Sequence, residues 1–268
     1  MTAVQLTTKY VEKPWGRTDI PAIFPNPDAR RIGEIWFDGP ARRHPPLLVK
    51  YIFTSEKLSI QVHPNDTYAR AHGLPGGKEE CWYILDAEPD ARLGVGLTQQ
   101  LDSDALRAAA LDGSIEQMMD WKPVKPGDFF FIPAGTVHAI GAGITLVEVQ
   151  QNVDVTYRLY DYGRPRALHL DDGVAVSCAQ PYPLPARSIP LGTDACLMPD
   201  APFKLGLKST AAGSEISLPS GPSPFWFIPL DGSGRIDGQD WQGSECWLVE
   251  GGADVAVSEP ANVLIAGL

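Results

Sequence analysis

The sequence predicts an all-β fold, and three observations carry that prediction. The 26 glycines and 25 prolines make up close to a fifth of the 268 residues, which suits many short strands joined by turns better than long helices. Runs rich in β-branched and aromatic residues recur at short spacing, most of them separated by proline or glycine. At 44% hydrophobic and 21% charged, the chain holds enough apolar material for one large core or two small ones, which excludes disorder as the dominant state.

In chain order, strands are predicted at 47–53, 58–63, 81–85, 129–132 and 144–151. One insert breaks the pattern. Residues 101–111 open on Leu-Asp-Ser-Asp and continue in good helix formers, and 113–121 add a second short turn, so a small helical excursion is expected between strands. In 179–187, Pro181, Pro183 and Pro185 alternate with other residues, the composition of an extended linker. The expected division is a first domain at 1–175, a proline-rich linker at 176–188 and a smaller β domain at 189–268. Strands of the latter are predicted at 203–207, 215–218, 224–228, 246–250 and 262–266.

A net charge of −11 disfavours nucleic acid and anionic membranes as partners, and no nucleic-acid-binding motif is present. Any anionic ligand must then be met by a local cluster of basic residues. Cys81, Cys178, Cys196 and Cys246 are far apart and form no C-x-x-C pair, which argues against a sulfur metal site or a disulfide framework and predicts buried or inert thiols. The first ten residues lack a basic start followed by an apolar stretch, and no apolar run approaches the roughly 18 residues of a spanning helix. A soluble, cytoplasmic protein is expected, either monomer or homodimer.

Two stretches can carry chemistry. In Leu-Ser-Ile-Gln-Val-His at 58–63, Gln61 and His63 project from one strand face, and Glu80 follows at the mouth of the next strand, where a carboxylate can complete an ion site. From Gly127, an apolar strand is stopped by Pro133-Ala-Gly135, and His138 comes immediately after. By contrast, Trp82, Tyr83 and Phe129 to Phe131 read as core, His44 beside Arg42 and Arg43 reads as a solvated loop, and His72 and His169 have no partner that the sequence names.

Gly127, Pro133, Gly135 and His138 match the cupin motif G-x5-P-x-G-x2-H, with Ala142 where an asparagine often ends it. Ser59-Ile-Gln-Val-His-Pro-Asn-Asp, Gly77-Lys-Glu-Glu-Cys-Trp-Tyr-Ile, Pro133-Ala-Gly-Thr-Val-His and Gln150-Gln-Asn-Val-Asp-Val-Thr-Tyr-Arg then resemble the type I mannose-6-phosphate isomerases in their short bacterial form, over most of residues 10–170. The resemblance implies a double-stranded β-helix, the cupin or jelly-roll fold, with the metal inside the barrel and a metal-free, degenerate second domain. It also implies one zinc ion per chain, or another divalent metal, on Gln61, His63, Glu80 and His138. Two imidazoles, one carboxylate and an amide oxygen suit such a borderline ion, and the absence of thiolate points to a catalytic site.

By the same resemblance, Lys50, Lys78 and Arg158 line the substrate pocket, Glu148 is the preferred general base and Lys78 the competing proton carrier. Lys57, Arg164 and Arg166 are the other basic residues near the motifs. The chain departs from the family pattern at Arg17, Phe37 and Val153, so substrate contacts are expected to differ there. The implied activity is metal-dependent aldose–ketose isomerisation of mannose 6-phosphate and fructose 6-phosphate through an enediol. The alternatives are a cupin isomerase or epimerase for another phosphosugar, and a sugar-binding regulatory cupin without turnover.

Overall fold

The computed structural model describes residues 3–39, 44–200 and 202–268. Arg42 and Arg43, read from sequence as part of a solvated loop, lie outside the described residues, while His44 is exposed. Among the described residues, four antiparallel sheets stack face to face. A five-stranded sheet (Met119–Pro123, Arg92–Leu97, His138–Ile140, Ile60–Val62, Tyr157–Tyr160) faces a seven-stranded one that contains Thr7–Arg17, Ile32–Asp38, Leu47–Phe53, Ile144–Gln151, Glu80–Ala87, Asp128–Ile132 and Arg187–Ser188. The two are separate ladders that do not close into a barrel.

Side-chain alternation dictates the stacking. One face of the seven-stranded sheet puts Ile52, Trp82, Ile84 and Ile132 against Leu93, Val95 and Ile140 of the five-stranded sheet. Its other face puts Val49, Tyr51, Tyr83 and Val149 against Leu205, Trp226, Ile228 and Leu264, from a six-stranded sheet in the second half. That sheet in turn buries Phe227, Trp247 and Val263 against Ile216, Trp241 and Val255 of a four-stranded sheet. Because the seven-stranded sheet is covered on both faces, its central strands read as near-continuous apolar runs: Leu47–Phe53 is buried at every position. The polar side chains that such a strand buries are therefore informative.

The chain start and the proline-rich segment tie the halves together. Ala3–Gln5 pairs with Trp247–Val249 of the second half. Gln180 accepts from the Leu97 N–H, the Tyr182 hydroxyl donates to the Phe131 carbonyl, and Arg187–Ser188 pairs with Phe129 and Asp128. The helical excursion is present as Ser103–Asp112 and Ile115–Met118. Asp102 caps the first, accepting from the Ala105 N–H at 2.8 Å, and Gly113 ends it in the left-handed region at φ 84°. These helices and Leu170–Val176 cover the outer face of the five-stranded sheet. No described helix is long and apolar enough to cross a membrane.

Several elements went unpredicted. Thr7–Arg17 is mostly polar and contains Pro14, which the ladder tolerates because this strand is the sheet edge. Asp66–Ala71, capped by the Asn65 side chain on the Tyr68 N–H, is too short for helical periodicity to show. The predicted strand 58–63 shortens to Ile60–Val62, since Pro64 has no N–H to give to a ladder.

Candidate metal centre

The cluster forms where three segments of the two facing sheets converge. His138 opens its strand directly opposite Gln61, and Arg158 pairs with Gln61 from the other side, so Arg158, Gln61 and His138 stand side by side on the five-stranded sheet. Gly135, at φ 85°, makes the turn that delivers His138; a Cβ there would lie 2.9 Å from Cys178 Sγ, so the position requires glycine. Glu80 begins its strand on the seven-stranded sheet and reaches across the gap. His63, Glu80 and His138 are each 1% exposed, and their ligand atoms lie within 4.8 Å of one another.

Hydrogen bonding fixes the imidazole tautomers. His63 Nδ1 lies 2.8 Å from the Val155 carbonyl and His138 Nδ1 2.9 Å from that of Thr136, so each Nδ1–H donates outward and each Nε2 lone pair faces Glu80. Both Nε2 atoms sit 3.4 Å from a Glu80 carboxylate oxygen. Lone pairs thus confront lone pairs, an arrangement that requires a cation or a proton between them. Lys78 Nζ, 2.9 Å from Glu80 Oε2 and 3.2 Å from His63 Nε2, supplies part of that charge. Its N–H groups are not aligned for a bond to Glu80, and neither carboxylate oxygen has a hydrogen-bond partner. Two orphaned, buried oxygens beside two imidazole lone pairs fit a divalent ion. Gln61 presents Nε2 3.3 Å from His138 Nε2 and takes the Ser59 hydroxyl on Oε1 at 3.1 Å. Rotating that amide by 180° puts its oxygen on the cluster, with the Ser59 hydroxyl accepting instead.

Burial followed by the charge of Lys78 pushes the His63 imidazole down to about 3, and burial lowers that of His138. Burial alone would raise the Glu80 carboxyl, but Lys78 and the two histidines hold it well below the usual carboxylate range. Relative to the ordinary value of 6.5, the folded metal-free protein binds fewer protons at His63 than the unfolded chain. The stability that His63 confers is therefore complete above pH 6.5 and is lost as pH falls toward 3. Chelator-treated protein is expected to melt at a lower temperature at pH 5 than at pH 7.5, by a larger margin than the His63→Gln variant; equal margins would contradict this linkage.

A cavity of about 270 Å³ adjoins the cluster, with Gln61, Lys78 and Glu148 in its lining. Lys13, Lys50, Lys78, Arg158 and Arg166 line it against Glu34, Glu148 and Asp154, so the lining is cationic in a protein of net charge −11. Lys50 Nζ binds Glu148 Oε1 at 2.9 Å and Gln150 Oε1 at 2.5 Å. Burial would lower the Lys50 ammonium, but Glu148 and Glu34 outweigh it and raise it. Arg158 donates from Nη1 to the Ala167 carbonyl, its Nε is buried without a partner, and no carboxylate among the described residues lies within ion-pair distance of it.

All eight residues singled out from sequence meet here: Gln61, His63, Glu80 and His138 at the cluster, Lys50, Lys78, Glu148 and Arg158 around the cavity, with Lys78 bridging both. Lys57 pairs with Glu116 on the surface, and Arg164 pairs with Asp161. Arg17 is engaged by Asp19 away from the cavity, Phe37 packs in the core on Tyr51, and Val153 packs beneath the five-stranded sheet; none of the three lines the cavity. His169 does have a partner, its Nδ1 accepting from the Arg158 N–H at 3.1 Å. Cys81 and Cys246 are buried as expected, whereas Cys178 and Cys196 are exposed. Sequence reasoning missed Ser59, Glu34, Trp36 and Gln150. The available signal was a polar side chain two positions from a site residue in an apolar strand, as Gln150 is from Glu148 and Ser59 from Gln61.

No family profile matches the chain. Among curated proteins it is similar to the mannose-6-phosphate isomerase of Bacillus subtilis, 46% identical over 138 residues covering 49% of this chain and 44% of that protein. It is also similar to the mannose-6-phosphate isomerase of Streptococcus mutans, 36% identical over 202 residues covering 71% and 62%. The matched region spans about half the length of the curated relatives. The crystal structure of the mannose 6-phosphate isomerase from Bacillus subtilis superposes at a TM-score of 0.80 and 22% identity, covering both chains completely. A zinc-bound mannose 6-phosphate isomerase superposes at 0.70 and 16% identity, covering 99% of each chain. The fold is the cupin fold of these structures.

Proposed function

Because the chain belongs to the family of the type I mannose-6-phosphate isomerases, we propose that it interconverts mannose 6-phosphate and fructose 6-phosphate by moving a proton between C2 and C1 through an enediol. The observation that carries this reading is a cationic cavity, in an acidic protein, whose lining residues Gln61 and Lys78 reach a buried His-Glu-His cluster. Gln61, His63, Glu80 and His138 would hold a divalent ion, for which the donor set and the zinc-bound relative support zinc. When bound, that ion supplies charge stabilisation for the sugar oxygens as the enediolate forms.

The remaining work falls to side chains of the cavity. Arg158, with its unpaired Nε and no carboxylate partner, offers charge-assisted hydrogen bonds to the phosphate, and Arg166 lines the same wall. Glu148 is the general base: it takes the proton from C2 and returns it to C1. Its carboxylate lines the cavity with both oxygens anchored, on Lys50 and on the Trp82 indole. Lys78, close to Glu80 and His63, neutralises charge between cluster and sugar. Departures at Arg17, Phe37 and Val153 do not touch the cavity and so do not favour a different phosphosugar.

The test is turnover of mannose 6-phosphate in deuterium oxide, with label expected at C2 of recovered substrate and at C1 of fructose 6-phosphate. Binding without label incorporation would contradict an isomerase and support a sugar-binding cupin that does not turn over. Arg158→Ala is expected to raise KM about 10- to 100-fold, the value of a lost charged hydrogen bond, with metal content unchanged. An unchanged KM would remove Arg158 from the phosphate site.

A further inference from the structure

Trp82 is a neutral side chain that touches both the cluster and the base. The residue is fully buried, its indole Nε1 donates to Glu148 Oε2 at 3.0 Å, and its ring meets the His138 imidazole edge-on at 5.4 Å between centroids. Register places it there. Trp36 pairs with Lys50, Lys50 with Glu148, and Glu148 with Trp82, so one row of side chains crosses the seven-stranded sheet on its inner face.

Within that row the two groups on Glu148 do different things. The Lys50 ammonium is a compact charge on a flexible stem, shared with Gln150, and it compensates the carboxylate without defining its plane. The indole offers a single N–H on a rigid, close-packed ring, so its bond to Oε2 defines the direction in which the carboxylate faces. Resting on the isomerase reading above, we propose that Trp82 is a positioning residue for Glu148, holding the carboxylate in the orientation from which it transfers the C2 proton. The side chain is more than core filling: a phenylalanine would fill nearly the same space and leave Oε2 without a donor.

Trp82→Phe keeps the aromatic packing on His138 and removes the donor. The expected result is a fall in kcat of about 10- to 100-fold with KM within about twofold, metal content as in the unaltered protein, and label incorporation at C2 reduced in step with kcat. Phe130→Leu alters the cross-strand neighbour of Trp82, which makes no polar contact with Glu148; it is expected to lower Tm and leave kcat in place. A Trp82→Phe variant that loses Tm but keeps kcat would reduce Trp82 to core and overturn the proposal, and so would a kcat loss that tracks metal loss. A readout independent of turnover is the indole N–H resonance of Trp82, recognised by its disappearance in Trp82→Phe. It is expected to shift in Glu148→Gln, and an unmoved resonance would overturn the contact itself. If the resonance shifts but the unaltered protein neither turns over nor exchanges the C2 proton, the isomerase reading fails and the positioning role falls with it.

Discussion

Replacing His138 by alanine is expected to abolish stoichiometric metal binding and, with it, isomerase activity. The side chain is 1% exposed, its Nδ1 is committed to the Thr136 carbonyl, and its Nε2 faces Glu80 at 3.4 Å, so the substitution removes one of the three clustered ligand atoms outright. Losing an outer partner of a ligand typically costs about 10- to 100-fold in affinity, and losing the ligand itself costs more. The fold should survive, because the vacated volume lies beside a cavity and the two sheets are held by apolar contacts such as Trp82, Ile84 and Ile140. Metal content by atomic absorption, with Tm measured alongside, reads the outcome. Retention of one equivalent of zinc would refute the ligand assignment.

Glu148→Gln is expected to lower kcat by about 10²- to 10⁴-fold, the usual contribution of a positioned acid or base, while metal content stays unchanged. It also removes the counter-charge of Lys50, which is buried and held as an ammonium by Glu148 and Glu34. Breaking a buried ion pair on one side costs roughly 3–5 kcal/mol, here reduced because Glu34 still faces Lys50 and the Gln150 amide oxygen still accepts from it. A stability loss alone could therefore imitate a catalytic one. The double variant Lys50→Met, Glu148→Gln separates them: it should regain Tm and recover none of the kcat. Full activity of Glu148→Gln would shift the proton transfer to Lys78, the alternative that the sequence also offers.

Much of this site was legible in the sequence because its ligands fall in short, local patterns. Gln61 and His63 share a strand face, and Pro133-Ala-Gly135 followed by His138 encodes a turn that only glycine can make at its φ of 85°. The strands that carry Lys50 and Glu148 were predicted at the bounds they have, Leu47–Phe53 and Ile144–Gln151, because each starts directly after a proline or glycine break, runs in apolar and β-branched residues, and gives way to polar ones. What the sequence does not show is register. Nothing local says that Lys50, Glu148 and Trp82 stand in one cross-strand row, so Trp82 read as core and its N–H contact with Glu148 was missed. The same holds for His169 against Arg158, which requires the chain to turn back after Tyr160. Edge strands such as Thr7–Arg17 were missed because an edge tolerates the polar residues and proline that argue against a strand elsewhere.

The most direct measurement is fructose 6-phosphate formation from mannose 6-phosphate by the purified protein as isolated, after chelation, and after zinc is restored. The geometry predicts activity that is lost with the metal and regained with it. Activity that persists after the metal has been removed would contradict the role assigned to the His63, Glu80 and His138 cluster, and zinc binding with no turnover in any state would contradict the isomerase itself.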